Sequence, residues 1–366
     1  MTTALATRIK SMIRTGGPIS VTDYFSLCLA DPENGYYKTR NPFGIEGDFI
    51  TAPEVSQLFG EMIGVFIIHA WQTHDSPEAV RLVEIGPGRG TMMSDILRVI
   101  ARLAPSLYDS MSAHLVETSE RLQAIQKQTL APYSAKTDWH VAFDEVPEGF
   151  TLIVANELFD AIPIRQWVKT PRGFRERMVG LDPDDNLVFV AGVATIDPEL
   201  LPDDSDGMPE GTIFETSPAR IAVLDVICQR LLTEGGTALI VDYGHMVTGF
   251  GDTLQAVLAH QFDPPLAHPG MADLTSHVDF EQLALAARAL GVAITGCMFQ
   301  GDFLRGLGIE QRAMTLSKDK PPEVQADVRV ALDRLISGGE GRMGELFKVL
   351  AISSPPRRLA PFKAMD

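Results

Sequence analysis

Leu82-Val-Glu-Ile-Gly-Pro-Gly-Arg-Gly-Thr91 runs an apolar strand straight into a turn with glycine at every second position. Glycine folds into tight, left-handed backbone conformations at little cost and places no Cβ between main chain and ligand. Beyond the turn, Met93, Ile96, Leu97, Ile100 and Leu103 recur at helical spacing, so a helix is expected whose first N–H groups point back at the turn. Strand, glycine turn and helix in that order predict a nucleotide-type site. The pattern is Glu84-x-Gly86-Pro87-Gly88-x-Gly90, whereas a nicotinamide or flavin site calls for a third glycine at position 91, which is Thr91. Glu84 would also repel a pyrophosphate, but a carboxylate is favourable beside the sulfonium and ammonium of S-adenosylmethionine. The second strand, Ala113-His-Leu-Val-Glu117, ends in an acid 31 residues after Gly86 (117 − 86), where a carboxylate can accept both ribose hydroxyls. The expected cofactor is S-adenosyl-L-methionine, held by Glu84, Gly86, Pro87, Gly88, Gly90, Glu117 and Thr118.

Composition narrows the partners. The chain has 366 residues, 45% of them hydrophobic and 22% charged, with a net charge of −17. That describes a globular chain with ample apolar side chain for a core. An acidic surface repels phosphate backbones, so nucleic acid is excluded as the expected acceptor, and a protein or a small molecule fits better. Cys28, Cys228 and Cys297 form no C-x-x-C pair and the histidines show no metal-ligand spacing, so no metal is expected and a reducing, cytoplasmic compartment is the natural reading. No apolar run approaches a membrane span. The N-terminal Arg8, Lys10 and Arg14 with several Ser and Thr look superficially like a transit peptide. Leu5, Ile9, Met12 and Ile13 read instead as one face of an opening amphipathic helix.

The expected fold is an α/β doubly wound, mostly parallel sheet of seven strands. Short apolar runs begin at 81–85, 113–117, 139–141, 151–155, 237–243, 292–299 and 345–352, separated by helix-length sequence. Consecutive segments follow: a helical region at 1–80, the first half of the sheet at 81–163, and an antiparallel β insertion at 164–211 with an Asp-rich turn. The second half of the sheet at 212–300, a helical insertion at 301–340 and the last strand with a tail at 341–366 complete the chain. In the N-terminal region a glycine- and aromatic-rich loop at 34–49 precedes a helix from about Pro53 to Trp71. A long irregular stretch at 244–276 is expected to order over a ligand.

In open α/β sheets ligands bind beyond the carboxyl ends of the strands. After the third strand Asp144 could accept from an adenine amino group, although solvated loop acids are common. After the fourth come Asn156, Glu157 and Asp160. Asn156 is assigned to the cofactor side. Glu157 and Asp160 could hold a cationic guanidinium through charge-assisted hydrogen bonds, aligning one nitrogen for methyl transfer. The competing reading makes these residues a helix N-cap and acidic first turn. His245 and His277, at the two ends of the long loop, are the fallback acceptor-side candidates.

Several stretches taken together resemble the MidA family. They are Gly47-Asp-Phe-Ile-Thr-Ala-Pro-Glu54, the glycine turn, Asn156-Glu-Leu-Phe-Asp-Ala-Ile-Pro163, Val241-Asp-Tyr-Gly-His245, Asp273-Leu-Thr-Ser-His-Val-Asp-Phe280 and Gly344-Glu-Leu-Phe-Lys-Val349. The resemblance runs in order from about residue 8 to about residue 352. It implies a seven-stranded class I methyltransferase fold. For the mitochondrial members it implies arginine methylation of a respiratory complex I subunit, and for this chain a bacterial member acting in the cytoplasm on a complex I type subunit or its assembly partner. By analogy, better-known arginine methyltransferases place a guanidinium-clamping glutamate just after strand four, where Glu157 stands. Their second clamping acid corresponds to Ile164 or nearby, so Asp160 would have to substitute. The alternatives are a small-molecule methyltransferase or a non-catalytic assembly factor that keeps the cofactor fold. The oligomeric state is left open.

Overall fold

The computed structural model describes residues 3–39 and 51–363, and they fall into two interleaved units rather than the six consecutive segments expected. One unit comprises Ile50–Phe159, Leu224–Met246 and Phe280–Asp366. The sheet has eight strands, one more than expected, and seven of them lie on one path: β1 (Val80–Ile85), β2 (Met111–Val116), β3 (Thr137–His140), β4 (Thr151–Asn156), β5 (Gly236–His245), β6 (Ala293–Phe299) and β7 (Phe347–Ser354). The spatial order is β6-β7-β5-β4-β1-β2-β3. Pairing is parallel from β5 to β3 and antiparallel on both sides of β7, so the sheet is mixed. Chain order reverses between β1 and β4, which puts the carboxyl ends of β1, β2 and β4 together, as a site beyond the strands requires.

Burial on both faces explains why these strands read as unbroken apolar runs: all six residues of β4 are buried. Helix Gln57–Thr73 packs its Phe59, Met62, Ile63 and Phe66 into the same core as Met93, Ile96 and Ile100 of helix Thr91–Leu103. Gly60 permits that close approach, because a Cβ there would lie 2.7 Å from Asp95 Cβ. The helix expected from Pro53 to Trp71 is broken. Ser56 is extended (φ −167°), ending a four-residue turn Ala52–Val55, and its side chain caps the helix from Gln57. Glu61, buried in this helix, accepts from Gln57, Arg98 and Arg312.

The other unit comprises Met1–Phe49, Asp160–Val223 and Val247–Asp279. Its larger sheet pairs Ile19–Ser20, Gly173–Leu181, Arg165–Thr170 and Ile213–Thr216 in that order, with Leu187–Thr195 added on Gly173–Leu181. All pairings are antiparallel. The Asp-rich turn closes as read: the Asp182 carboxylate accepts from the N–H groups of Asp184 and Asn186. Helices Ala4–Gly16 and Val21–Ala30 are capped by Thr3 and Ser20 and bury Leu5, Ile9, Tyr24 and Phe25. The stretch at 244–276 is only partly irregular: within it Gln255–Leu258, Gln261–Asp263 and Asp273–Thr275 form a second small sheet. Most of the loop expected at 34–49, with residues 47–50 of the first family segment, lies outside the described residues. No helix of the described residues is long and apolar enough to cross a membrane.

Candidate active site

The glycine turn is built by backbone geometry. Gly86, Gly88 and Gly90 have φ of 70°, 53° and 79°, a region that side chains disfavour. Gly86 N–H donates to Val116 C=O and Gly90 N–H to Pro87 C=O, which fixes the turn on β2 and closes it on itself. A Cβ at Gly86 would sit 3.1 Å from Leu158 Cδ1, and one at Gly90 would meet Gln126 and Leu130 at 3.5 Å. Gly86 therefore also admits the loop after β4, a role beyond the ligand access expected of it, whereas the 3.5 Å at Gly90 is ordinary contact and its positive φ is what calls for glycine.

Glu84 departs from the sequence reading. It lies beneath the turn, 2% exposed, not on an open ligand face. Helix Thr91–Leu103 starts at Gly90, which has no side chain to cap it, and the Met93 N–H is bonded by the Glu84 carboxyl instead. The Oε2 of Glu84 is buried without a hydrogen-bond partner among the described residues. Burial pushes this carboxyl up to about 8, so at neutral pH it holds its proton.

Glu117 stands at the end of β2, 9% exposed, accepting from the Ser119 N–H at 2.8 Å and from Gln126 Nε2 at 3.2 Å. Gln126 is wholly buried and had no place in the sequence reading. Its amide nitrogen also donates to Gly88 C=O at 2.8 Å, and its oxygen accepts from Trp139 Nε1 at 3.0 Å. One amide thus ties the glycine turn, the acid at the end of β2 and β3 together. Gln126→Leu keeps the volume but leaves a buried carbonyl and an indole N–H unmatched. We expect thermal unfolding to show a loss of about 1–3 kcal/mol, and calorimetry with S-adenosylhomocysteine about tenfold weaker binding. Thr118 is exposed beside Glu117, and Asp144 is exposed in the short helix Phe143–Glu145 with no hydrogen-bond partner among the described residues.

Past β4 no helix forms, which removes the N-cap reading of Asn156, Glu157 and Asp160. Asn156 is 8% exposed, its Oδ1 is without a partner among the described residues, and its Nδ2 donates to Glu157 Oε1 at 3.2 Å. Glu157 adopts φ 51°, unusual for a residue with a side chain and of a kind that clusters at functional sites. Its N–H donates to Val241 C=O, and its Oε1 also accepts from the Ala52 N–H at 3.2 Å. The next residue but one of that segment, Glu54, accepts from Thr91 Oγ1 at 2.6 Å. The Thr51-Ala-Pro-Glu54 segment is therefore bonded both to the helix after the glycine turn and to the acid after β4. Asp242 on β5 secures the same loop by accepting from the Phe159 N–H at 2.9 Å.

The boundary between the units falls at 159/160, so Glu157 and Asp160 belong to different units. Asp160 is buried, and its carbonyl accepts from the Ser276 N–H and from Arg220. Arg220, 4% exposed and likewise missed, also donates to Ser276 and to His277 C=O. Its guanidinium organises the Asp160 turn and the 276–277 backbone, where His277 N–H donates to Thr253 Oγ1. The buried Oδ1 of Asn156 and the left-handed turn suit a ligand that brings hydrogen-bonding polar groups, as S-adenosylmethionine does.

A family profile described as "Putative S-adenosyl-L-methionine-dependent methyltransferase" matches residues 62–298. The chain is 36% identical to the mouse and 35% identical to the human "Protein arginine methyltransferase NDUFAF7, mitochondrial", covering 95% of this chain and 83% and 82% of those proteins. Among solved structures, a superfamily member from Burkholderia thailandensis bound to S-adenosyl-homocysteine superposes with a TM-score of 0.80 at 29% identity, covering 95% of this chain and 91% of that one. The chain belongs to this family of S-adenosyl-L-methionine-dependent methyltransferases.

Proposed function

We propose that this protein methylates an arginine side chain of a protein acceptor, a respiratory complex I type subunit or its assembly partner. Glu157 carries the reading: an acid held in left-handed backbone at the end of β4, with one oxygen fixed by Ala52 and Asn156. A carboxylate anchored in this way is preorganised to receive a guanidinium and to localise its charge away from the nitrogen that attacks. Asp160 is proposed as the second acid. Glu117 and Asn156, with the turn at Gly86, Pro87, Gly88 and Gly90, hold the cofactor. Glu84 supports that turn from below, and Thr118 and Asp144 stand at its exposed margin. When bound, S-adenosylmethionine supplies the methyl group. The names of the mammalian relatives and the net charge of −17, which favours a basic acceptor, support the same reading. A proteome-wide comparison of methylarginine in cells with and without the gene tests it. The expected result is loss of methylation at one or a few arginines, and an unchanged methylarginine profile would defeat it.

A further inference from the structure

The strand Leu187-Val-Phe-Val-Ala-Gly-Val-Ala-Thr195 stands apart from the rest of its sheet. Its neighbours carry charge, as in Arg165, Lys169, Arg175, Glu176 and Arg177, but its own nine residues carry none. None of the nine is buried, and Val193 is 94% exposed. It pairs with Gly173–Leu181 on one side, and among the described residues nothing pairs with the other. Exposed edge strands are normally blunted by lysine, proline or an inward charge, because their unpaired N–H and C=O groups invite another strand. Here no lysine, proline or inward charge is present, and the one register shift, opposite Arg175–Arg177, lies beyond Ala191 and leaves Leu187–Ala191 in regular pairing. The hydrogen bond from Asp182 N–H to Asn186 C=O sets the antiparallel alternation, which turns the backbone groups of Leu187, Phe189 and Ala191 outward.

Two neighbouring features say what the edge would take. A hollow of about 560 Å³ lies beside the strand, walled by Val168, Phe189, Val190, Ile213 and Phe250, with the Arg177–Asp252 ion pair at 2.7 Å among its lining groups. Added strands gain affinity from main-chain bonds and selectivity from such side-chain pockets. Residues 197–210 then follow with Asp197, Glu199, Asp203, Asp204, Asp206 and Glu210 and no Lys or Arg. All six acids are exposed, and none forms an ion pair among the described residues. Lys169 Nζ donates to Ser205 C=O, holding this loop against the sheet. An acidic margin beside an uncharged edge attracts a basic strand. The net charge of −17 opposes a second copy of the same chain.

We propose that the outer edge of Leu187–Thr195 receives an extended, basic segment of the methyl acceptor as an additional strand, a proposal that rests on the protein-acceptor reading above. The probe is a fluorescein-labelled peptide of alternating Arg and Thr, titrated into the full-length protein by anisotropy, with a Glu/Thr peptide and a backbone N-methylated Arg/Thr peptide as controls. The Arg/Thr peptide should bind and both controls should fail. Ala191→Pro removes an outward donor and should weaken binding about tenfold or more. Val193→Lys, at a position 94% exposed, should weaken it in the same direction. Calorimetry with S-adenosylhomocysteine confirms that both variants are folded. In labelled methyl transfer to lysate protein, Ala191→Pro should raise KM for the labelled acceptor and leave kcat unchanged. The proposal is overturned if the wild type ignores the Arg/Thr peptide, if Ala191→Pro binds it as the wild type does, or if sedimentation shows a wild-type dimer that Ala191→Pro dissolves. An unchanged KM defeats the docking edge alone and leaves the methyltransferase reading intact. Label appearing only in small molecules defeats the acceptor reading, and this proposal with it.

Discussion

Glu157→Gln is expected to lower methyl transfer by about ten- to a hundredfold while cofactor affinity stays near that of the wild type. The separation follows from what each oxygen does. Oε1 accepts from the Ala52 N–H and the Asn156 amide, and a glutamine oxygen can accept both bonds. The left-handed backbone at φ 51° is unaffected by a side-chain swap of equal shape. The variant therefore keeps these two bonds and loses the negative charge that pairs with a guanidinium, a charge-assisted contact worth about 1.5–3 kcal/mol. Single-turnover transfer and S-adenosylhomocysteine calorimetry on the same preparation would show the split. Asp160→Asn should act in the same direction and more weakly. If both variants methylate the acceptor normally, the two acids only shape the turn, and the acceptor site must be sought around His245 and His277.

A second large effect concerns pH. Burial raises the Glu84 carboxyl from its ordinary value to about 8. A raised carboxyl binds its proton more tightly in the folded protein, so its contribution to stability is lost as pH climbs from the ordinary carboxylate range through about 8. His74 and His114 act oppositely. Burial, aided by Arg357 near His74 and by His140 near His114, lowers both to about 4. Neutral histidines of this kind favour folding above their unfolded value near 6.5 and lose that contribution as pH falls towards 4. The two histidines outweigh the one carboxyl below about pH 6.5, and Glu84 alone acts above it. For these groups stability peaks near pH 6.5 and falls by about 2 kcal/mol towards pH 8. Glu84→Gln removes the titrating group, so urea unfolding of this variant should stay level over the interval where the wild type declines. A parallel decline in both proteins would contradict the account of Glu84.

The parts legible in the sequence were those whose cause is local. The left-handed glycines at 86, 88 and 90 announce their turn, because few other residues sit there comfortably. Apolar runs buried on both faces announce β1, β4 and β5. What escaped depends on distant partners. Gln126 reads as an ordinary polar helix residue until it meets Gly88, 38 positions away. Arg220 reaches Ser276 over 56 positions. The strain at Glu157 is invisible because nothing in a glutamate's neighbourhood signals positive φ. Glu84 stands out in the sequence, but only the packed structure shows that its carboxyl serves a helix lacking a capping side chain. The break at Ser56 was missed because a serine before a helical pattern and a serine inside one look alike until the extended backbone is seen.

The most direct measurement incubates the purified protein with methyl-labelled S-adenosylmethionine and a protein extract of cells lacking the gene, followed by acid hydrolysis and amino-acid separation. The account predicts label in methylarginine from one or a few proteins, strongly reduced with Glu157→Gln. Label in another amino acid or only in small molecules, or transfer that is indifferent to Glu157, would contradict it.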